Sequence, residues 1–231
     1  RVILPGESLK RFGSDYTEDL YFEPQIAVLP ETTAEVSAIL KLSDEHGVPV
    51  TPRGAGTGLS GGALPVHGGI VLSLERMNKI LEIDEQNLCV VVQPGVITEV
   101  MQNAVEAKGL FYPPDPASRG SSLLGGNIAE CSGGPRAVKY GVTKDYVMGV
   151  EAVLPSGEII RHGGKLLKNV TGYNLTQLLV GSEGTLAVVT EITFRLIPLP
   201  KHRQTLLAPF DDMEAAARTV AAIFQRGIIP S

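Results

Sequence analysis

The stretch TPRGAGTGLSGGALP, residues 51–65, places five glycines in the eleven positions from Pro52 to Gly62. Within it, Gly56-Thr57-Gly58-Leu59-Ser60-Gly61 satisfies the G-x-G-x-x-G spacing of a dinucleotide-binding turn. That turn works by opening a helix, whose free N–H groups and dipole receive a pyrophosphate. Here Pro65, Gly68 and Gly69 follow instead, and then IVLSL (residues 70–74), a run expected of a buried strand. No acidic residue closes a second strand where a nicotinamide dinucleotide's ribose would need one, and no Gly-Lys-Ser/Thr marks a P-loop. The expected unit is strand, glycine loop, strand, in which successive amides can form a concave nest for an anion without any lysine.

Two further loops share this character. PPDPASRGSSLLGGNIAECSGG, residues 113–134, carries five glycines among Ser, Asn and Asp, and GSEGTLAVVT, residues 181–190, forms a glycine turn before a strand. Asp115, Ser118, Ser121 and Asn127 offer donors and acceptors suited to the edge of a flat polar ring, which the paired glycines would let lie against the chain. One such loop on its own is most simply a tight turn in a twisted sheet. Three together, two with paired glycines and polar side chains, point to a ligand long enough to touch all of them. A dinucleotide carrying a tricyclic ring fits; a lone phosphate does not.

The surrounding elements set the fold class. Residues 31–47, ETTAEVSAILKLSDEHG, read as a helix with a Thr32/Glu35 capping box, an inner face of Val36, Ile39 and Leu40, and a Gly47 stop. A second helix is expected over 98–109, capped by Thr98, with Met101, Ala104 and Val105 inward. A third is expected from residue 211, with Asp211 and Glu214 as its capping box, and a short one at NLTQLLVG (174–181) capped by Asn174. Strands are expected at 48–53, 70–74, 79–84, 88–95 and 185–200, and a hairpin over 146–161 turns at Pro155–Glu158. Residues 1–24 show no periodicity and read as an irregular lead-in. Helices and strands are interspersed without strict βαβ alternation, so the class is α+β.

Composition narrows the function. The 231 residues are 43% hydrophobic and 19% charged, with a formal charge of −5 and dispersed cations. That balance argues against nucleic acid and against a membrane-surface patch. Two cysteines, Cys89 and Cys131, cannot build a disulfide framework and suit a reducing, intracellular setting. Cys89, in a β-branched strand, reads as core. Cys131 reads as a packing residue, since no neighbouring cation in sequence lowers its pKa. His46, His67, His162 and His202 lack metal-ligand spacing, so no metal site is expected. Lys165 and Lys168 either face solvent or neutralise a phosphate, and Tyr173 has nothing nearby to make it a base.

PRGAGTGLSGG, PPDPASRGSSLLGGNIAECSGG, KNVTGYNLTQLLVGSEGTLAVVTEITFRLIP and the closing GIIP, taken together, resemble the FAD-linked 2-hydroxyacid oxidases and dehydrogenases of the vanillyl-alcohol-oxidase-like superfamily. That group holds the flavoprotein subunits of bacterial glycolate oxidase and the D-lactate and D-2-hydroxyglutarate dehydrogenases. The resemblance runs from about Pro24 to Pro230. It implies a two-lobed FAD-binding domain of the PCMH type over residues 24–200, with lobes of about 24–80 and 81–200. Residues 1–23 would lead in, and 201–231 would begin a substrate-binding cap.

Carried over, it places Arg53, Gly54, Ala55, Gly56, Thr57, Gly58, Ser60, Gly61 and Gly62 around the pyrophosphate. Asp115, Ala117, Ser118, Ser121, Gly125, Gly126, Asn127 and Ala129 would follow the ribityl chain and flavin. Glu183, Gly184 and Val189 would sit near the adenosine end and the lobe interface. Covalent members carry a histidine where this chain has Thr57, so FAD is expected to be non-covalent. Ala187 stands where a glycine is usual.

The implied reaction is hydride transfer from glycolate or D-lactate to FAD, with catalytic residues beyond Ser231 and little turnover from this fragment alone. A non-catalytic FAD-binding subunit serving an iron–sulfur partner is the other reading. A second flavoprotein subunit is also implied, in a cytoplasmic protein that meets a membrane only through such partners.

Overall fold

The computed structural model describes residues 1–17 and 19–231. The chain opens with β1 (Val2–Ile3), α1 (Glu7–Lys10), β2 (Ile26–Val28), α2 (Thr33–His46), β3 (Val50–Arg53) and β4 (Ile70–Ser73). These four strands form one sheet in the order β1-β2-β4-β3; β2 and β3 run parallel to β4, and β1 is antiparallel to β2. The lead-in is therefore more ordered than its pattern suggests. Ile3, Leu9 and Phe12 bury against Ala27, Leu29 and Val71, an apolar set too widely spaced in sequence to show a period.

The next elements are β5 (Ile80–Asp84), β6 (Cys89–Val92), α3 (Thr98–Glu106), β7 (Leu110–Phe111), α4 (Leu124–Ala129) and α5 (Ala137–Tyr140). Then follow β8 (Val147–Val153), β9 (Ile159–Gly163), α6 (Leu175–Leu179), β10 (Val188–Arg195), β11 (Ile197–Pro198) and α7 (Met213–Gln225). The second sheet is antiparallel throughout, in the order β5-β6-β10-β8-β9, and β7 pairs with β11 beside it. Val90, Val92, Ile192 and Phe194 from this sheet pack on Met101 and Val105 of α3 and on Tyr112. The architecture is α+β, as expected.

Side-chain caps start α2, α6 and α7. The Thr32 hydroxyl accepts from the Glu35 amide at 3.2 Å, and Gly47 closes α2 at φ 63°. Asn174 caps α6 through the Gln177 amide at 3.1 Å. Two expected caps are displaced. Thr98 is not the N-cap of α3, because Ile97 holds that extended position and the Thr98 hydroxyl turns into the protein. Asp212, not Asp211, caps α7, accepting from the Ala215 amide at 2.6 Å. The inner face of α3 also differs, since Gln102 is buried whereas Ala104 is only half-buried. Helix α7 itself buries no residue.

The two sheets meet along a seam. Val36 and Leu40 of α2, with Leu72, Leu74 and Met77, pack against Val153 of β8 and Val188 of β10. Buried Glu151 of β8 ties the seam with charge. It accepts from Thr33 at the start of α2 at 2.6 Å, from Thr190 at 3.0 Å and from Arg161 Nε at 2.8 Å. Burial by itself raises the Glu151 carboxyl, but the bonds from Thr33, Arg161 and Thr190 more than offset it and hold it below its ordinary value. Such a group stabilises the fold above its unfolded pKa, and that contribution is lost as pH falls. Glu151→Gln should cost about 1–3 kcal/mol at neutral pH. Urea unfolding repeated at successively lower pH should show the difference from wild type shrinking.

Candidate cofactor cleft

The first glycine loop leaves β3 at Arg53 and reaches β4 at Ile70 without forming a helix, as Pro65 and its neighbouring glycines require. Among the described residues, no backbone hydrogen bond engages the amides of residues 54–63. Ala55, Leu59, Ser60 and Gly62 are exposed and only Gly56 is buried, so the run is open to solvent and to a ligand rather than committed to acceptors within the fold. The loop is held open from beneath. Arg53 is buried, and its guanidinium donates to the carbonyls of Ser14 (2.8 Å), Arg11 (3.3 Å) and Ala63 (3.3 Å). A Cβ on Gly56, at φ 73°, would lie 2.1 Å from Arg53 Nη2, so only glycine lets the loop pass over this side chain. Burial lowers the Arg53 pKa, partly opposed by Asp15.

The facing wall comes from the second glycine-rich segment, part of which is a helix where a loop was expected. Its core is α4, seated on the turn after β6: the Gly125 amide donates to the Pro94 carbonyl at 2.8 Å. A Gly125 Cβ would lie 2.6 Å from Pro94 Cβ, whereas one on Gly126 would meet nothing within 4 Å. A Cβ on Gly54 would stand 3.7 Å from the Gly126 amide nitrogen, so bare backbone faces bare backbone. The third loop is fastened to α4, with the Gly181 and Glu183 amides donating to Ile128 and Ala129 carbonyls at 2.9 Å each. Glu183 itself adopts φ 52°, followed by Gly184 at 74°.

These three segments enclose a cleft of about 300 Å³, within the size range of small-ligand sites. Arg53, Gly54, Ala55, Gly56, Thr57, Gly58 and Gly62 line it from the first loop. Ser118, Gly125, Gly126, Asn127 and Ala129 line it from the second, and Glu183, Gly184 and Val189 from the third. Five expected residues lie elsewhere. Asp115 is engaged by Arg119 (2.9 Å) and Arg136 (3.3 Å), and Ala117 is exposed. Ser121 bonds back to the Ser118 carbonyl, and Gly61 turns the loop away at φ 83°. Ser60 stands at the mouth, its hydroxyl 2.9 Å from Glu130 Oε1 and 3.3 Å from Glu183 Oε2.

Glu130, Pro94, Ser122 and Leu123 also line the cleft and escaped the sequence reading. Pro94 could not have been found from its own segment, since only the packing of α4 brings it there. Glu130 was within reach, because it directly follows the run of candidates ending at Ala129. Among the described residues, the charged side chains lining the cleft are thus Glu130, Glu183 and Arg53, and Arg53 is committed below the loop.

Comparison with known families matches residues 24–163 to a family described as FAD binding domain. The chain belongs to that FAD-binding family. The glycolate oxidase subunit GlcD of Bacillus subtilis strain 168 is 54% identical over 220 residues, covering 95% of this chain and 47% of the relative. The D-lactate dehydrogenase of Anaerostipes hadrus is 42% identical over 99% of this chain and 48% of its own length. The chain therefore spans about half the length of these curated relatives. Among solved structures, alkyldihydroxyacetonephosphate synthase superposes with a TM-score of 0.77 at 27% identity, over 90% of this chain and 38% of that one.

In this FAD-binding chain the other candidate groups are occupied or remote. Lys165 pairs with Glu82 and with Asp84 (2.9 Å), bracing β5 against the end of β9. Tyr173 is 91% exposed, and His67 is exposed as expected of a loop residue. Cys89 is buried in β6. The two adjacent glycines of α4 should respond oppositely to alanine. Gly125→Ala forces a methyl into Pro94 and should destabilise by about 1–3 kcal/mol, whereas Gly126→Ala, in open space on a helix, should gain roughly 0.5–1 kcal/mol. Thermal unfolding of the two variants checks the opposite signs.

Proposed function

We propose that the chain is the FAD-binding portion of a flavin-dependent 2-hydroxyacid oxidoreductase acting on glycolate or D-lactate, with FAD held non-covalently. The observation that carries this reading is the loop of free amides at 54–63 facing Gly126 across the cleft. A diphosphate needs several converging N–H donors, and with Arg53 engaged elsewhere the backbone is what can supply them. Gly54–Gly58 and Gly62 would hold the diphosphate. Gly125, Gly126, Asn127 and Ala129 would follow the ribityl chain and ring, and Glu183, Gly184 and Val189 the adenosine end. Thr57 and its neighbours offer no histidine for a covalent flavin link.

When bound, FAD supplies hydride acceptance, which amino-acid side chains cannot. The chain's own residues grip, orient and exclude water. Among the described residues lining the cleft there is no His, Lys or Tyr to take a substrate proton. The proton-accepting and acid-gripping groups would then belong to the half of the relatives that this chain does not span. The same observation favours, as a second reading, an FAD-holding subunit that passes electrons to an iron–sulfur partner, in line with the word subunit in the name of one relative. With both cysteines unpaired, we place the protein in the cytoplasm.

FAD mixed with the colourless chain should co-elute with it in gel filtration at about one per chain, and NAD should not; failure of FAD to co-elute rejects the reading. Anaerobic glycolate or D-lactate should bleach the bound flavin poorly in the 231-residue chain and readily in a chain extended to the length of these relatives. Equal bleaching in both would show that this half holds the whole catalytic apparatus.

A further inference from the structure

We infer that Thr98 is a positioning residue that presets the Asn127 side-chain amide, so that Asn127 offers its carbonyl oxygen to an O–H or N–H donor on the bound cofactor. The inference rests on the proposal that the cleft holds FAD. Asn127 is 3% exposed, and its Nδ2 donates to Thr98 Oγ1 at 2.6 Å. Thr98 is fully buried and does not line the cleft. Its hydroxyl lies 3.1 Å from the Ser122 carbonyl, an atom that can only accept, and 2.9 Å from Ser122 Oγ. A hydroxyl has one proton to give. Whether that proton goes to the Ser122 carbonyl, which also accepts the Thr98 amide at 3.0 Å, or to Ser122 Oγ, Oγ1 keeps a lone pair for Asn127 Nδ2, which sets the amide with nitrogen inward.

The consequence is an acceptor without a partner. Among the described residues, no protein group donates to Asn127 Oδ1, although the side chain is almost wholly buried and lines the cleft. The oxygen is not fully enclosed, so it opens onto the cleft, where a donor on a bound ligand can reach it. A ring imide N–H, a ribityl hydroxyl or the adenosine ribose hydroxyls all satisfy it, and a phosphate oxygen does not. The same network explains why the Thr98 hydroxyl is turned away from the helix end that it was expected to cap.

The test is FAD affinity of the purified chain, measured by flavin fluorescence, for wild type, Thr98→Val, Thr98→Ser, Asn127→Ala and the Thr98→Val/Asn127→Ala double variant. Thr98→Val should weaken FAD about tenfold, as expected for losing one oriented hydrogen bond, and Thr98→Ser should restore wild-type affinity. In the Asn127→Ala background, Thr98→Val should have no further effect, because the two act through one contact. An undiminished penalty in that background, or a serine variant as weak as valine, overturns the positioning role. If the valine variants fail to fold, the remaining pair decides: Asn127→Ala must weaken FAD and Thr98→Ser must not.

Repeating the series with ADP locates the donor. A penalty shared by ADP assigns it to the adenosine half, and one confined to FAD assigns it to the flavin half. Wild-type protein that binds no FAD would reject the functional reading itself, whereas FAD binding indifferent to all these variants rejects the Asn127 contact and the role of Thr98 but leaves that reading standing.

Discussion

Arg53 holds the cleft open. Its guanidinium is one of the few charges in the interior, and it is satisfied by three carbonyls from two places: Arg11 and Ser14 in the lead-in and Ala63 at the far end of the glycine loop. A buried cation must find acceptors or lose its charge, so these contacts fix where the loop begins and ends. The loop between them is left with free amides. The lead-in, which looks dispensable in sequence, thereby becomes a structural part of the cleft floor.

The opposite wall depends on the seam between the sheets. The apolar contact of α2 with β8 and β10 holds the two halves together, and buried Glu151 adds a hydrogen bond across it from Thr33. Fixing both sides of a narrow cleft on rigid elements reduces the ordering needed when a ligand enters. Small residues then matter for what they omit. Gly125 lets α4 close onto Pro94, and Gly126 and Gly54 leave the space between the walls to a ligand.

The electrostatics of the cleft are unusual for a diphosphate site. Its facing carboxylates, Glu130 and Glu183, meet at Ser60 at the mouth, while Arg53, the one cation in the lining among the described residues, is turned beneath the loop. Oriented N–H dipoles can bind an anion without a full positive charge, because they are fixed in place and need not reorganise. Carboxylates at the rim are better suited to hydroxyl groups than to phosphate, and their position at the junction of the first and third loops fits a ligand with a sugar beside its diphosphate.

Much of this was legible in the residues alone. The strand–loop–strand reading of 51–74, the α+β class, the ends of α2 and α6 and the hairpin at Pro155–Glu158 all follow from local rules: proline and glycine forbid a helix, capping side chains start one, and alternation marks strands. Fifteen of the twenty site residues that the family resemblance implied line the cleft, while the glycine-rich loops by themselves marked only where backbone could approach a ligand. What only the tertiary structure decided is which atoms face inward. Asp115 went to Arg119 and Arg136, Thr98 left its helix end for Ser122 and Asn127, and Pro94 arrived under α4 from a different element. Each of these is a competition between partners distant in sequence, settled by burial and by the need to satisfy every withdrawn polar group, and neither leaves a periodic trace in the chain.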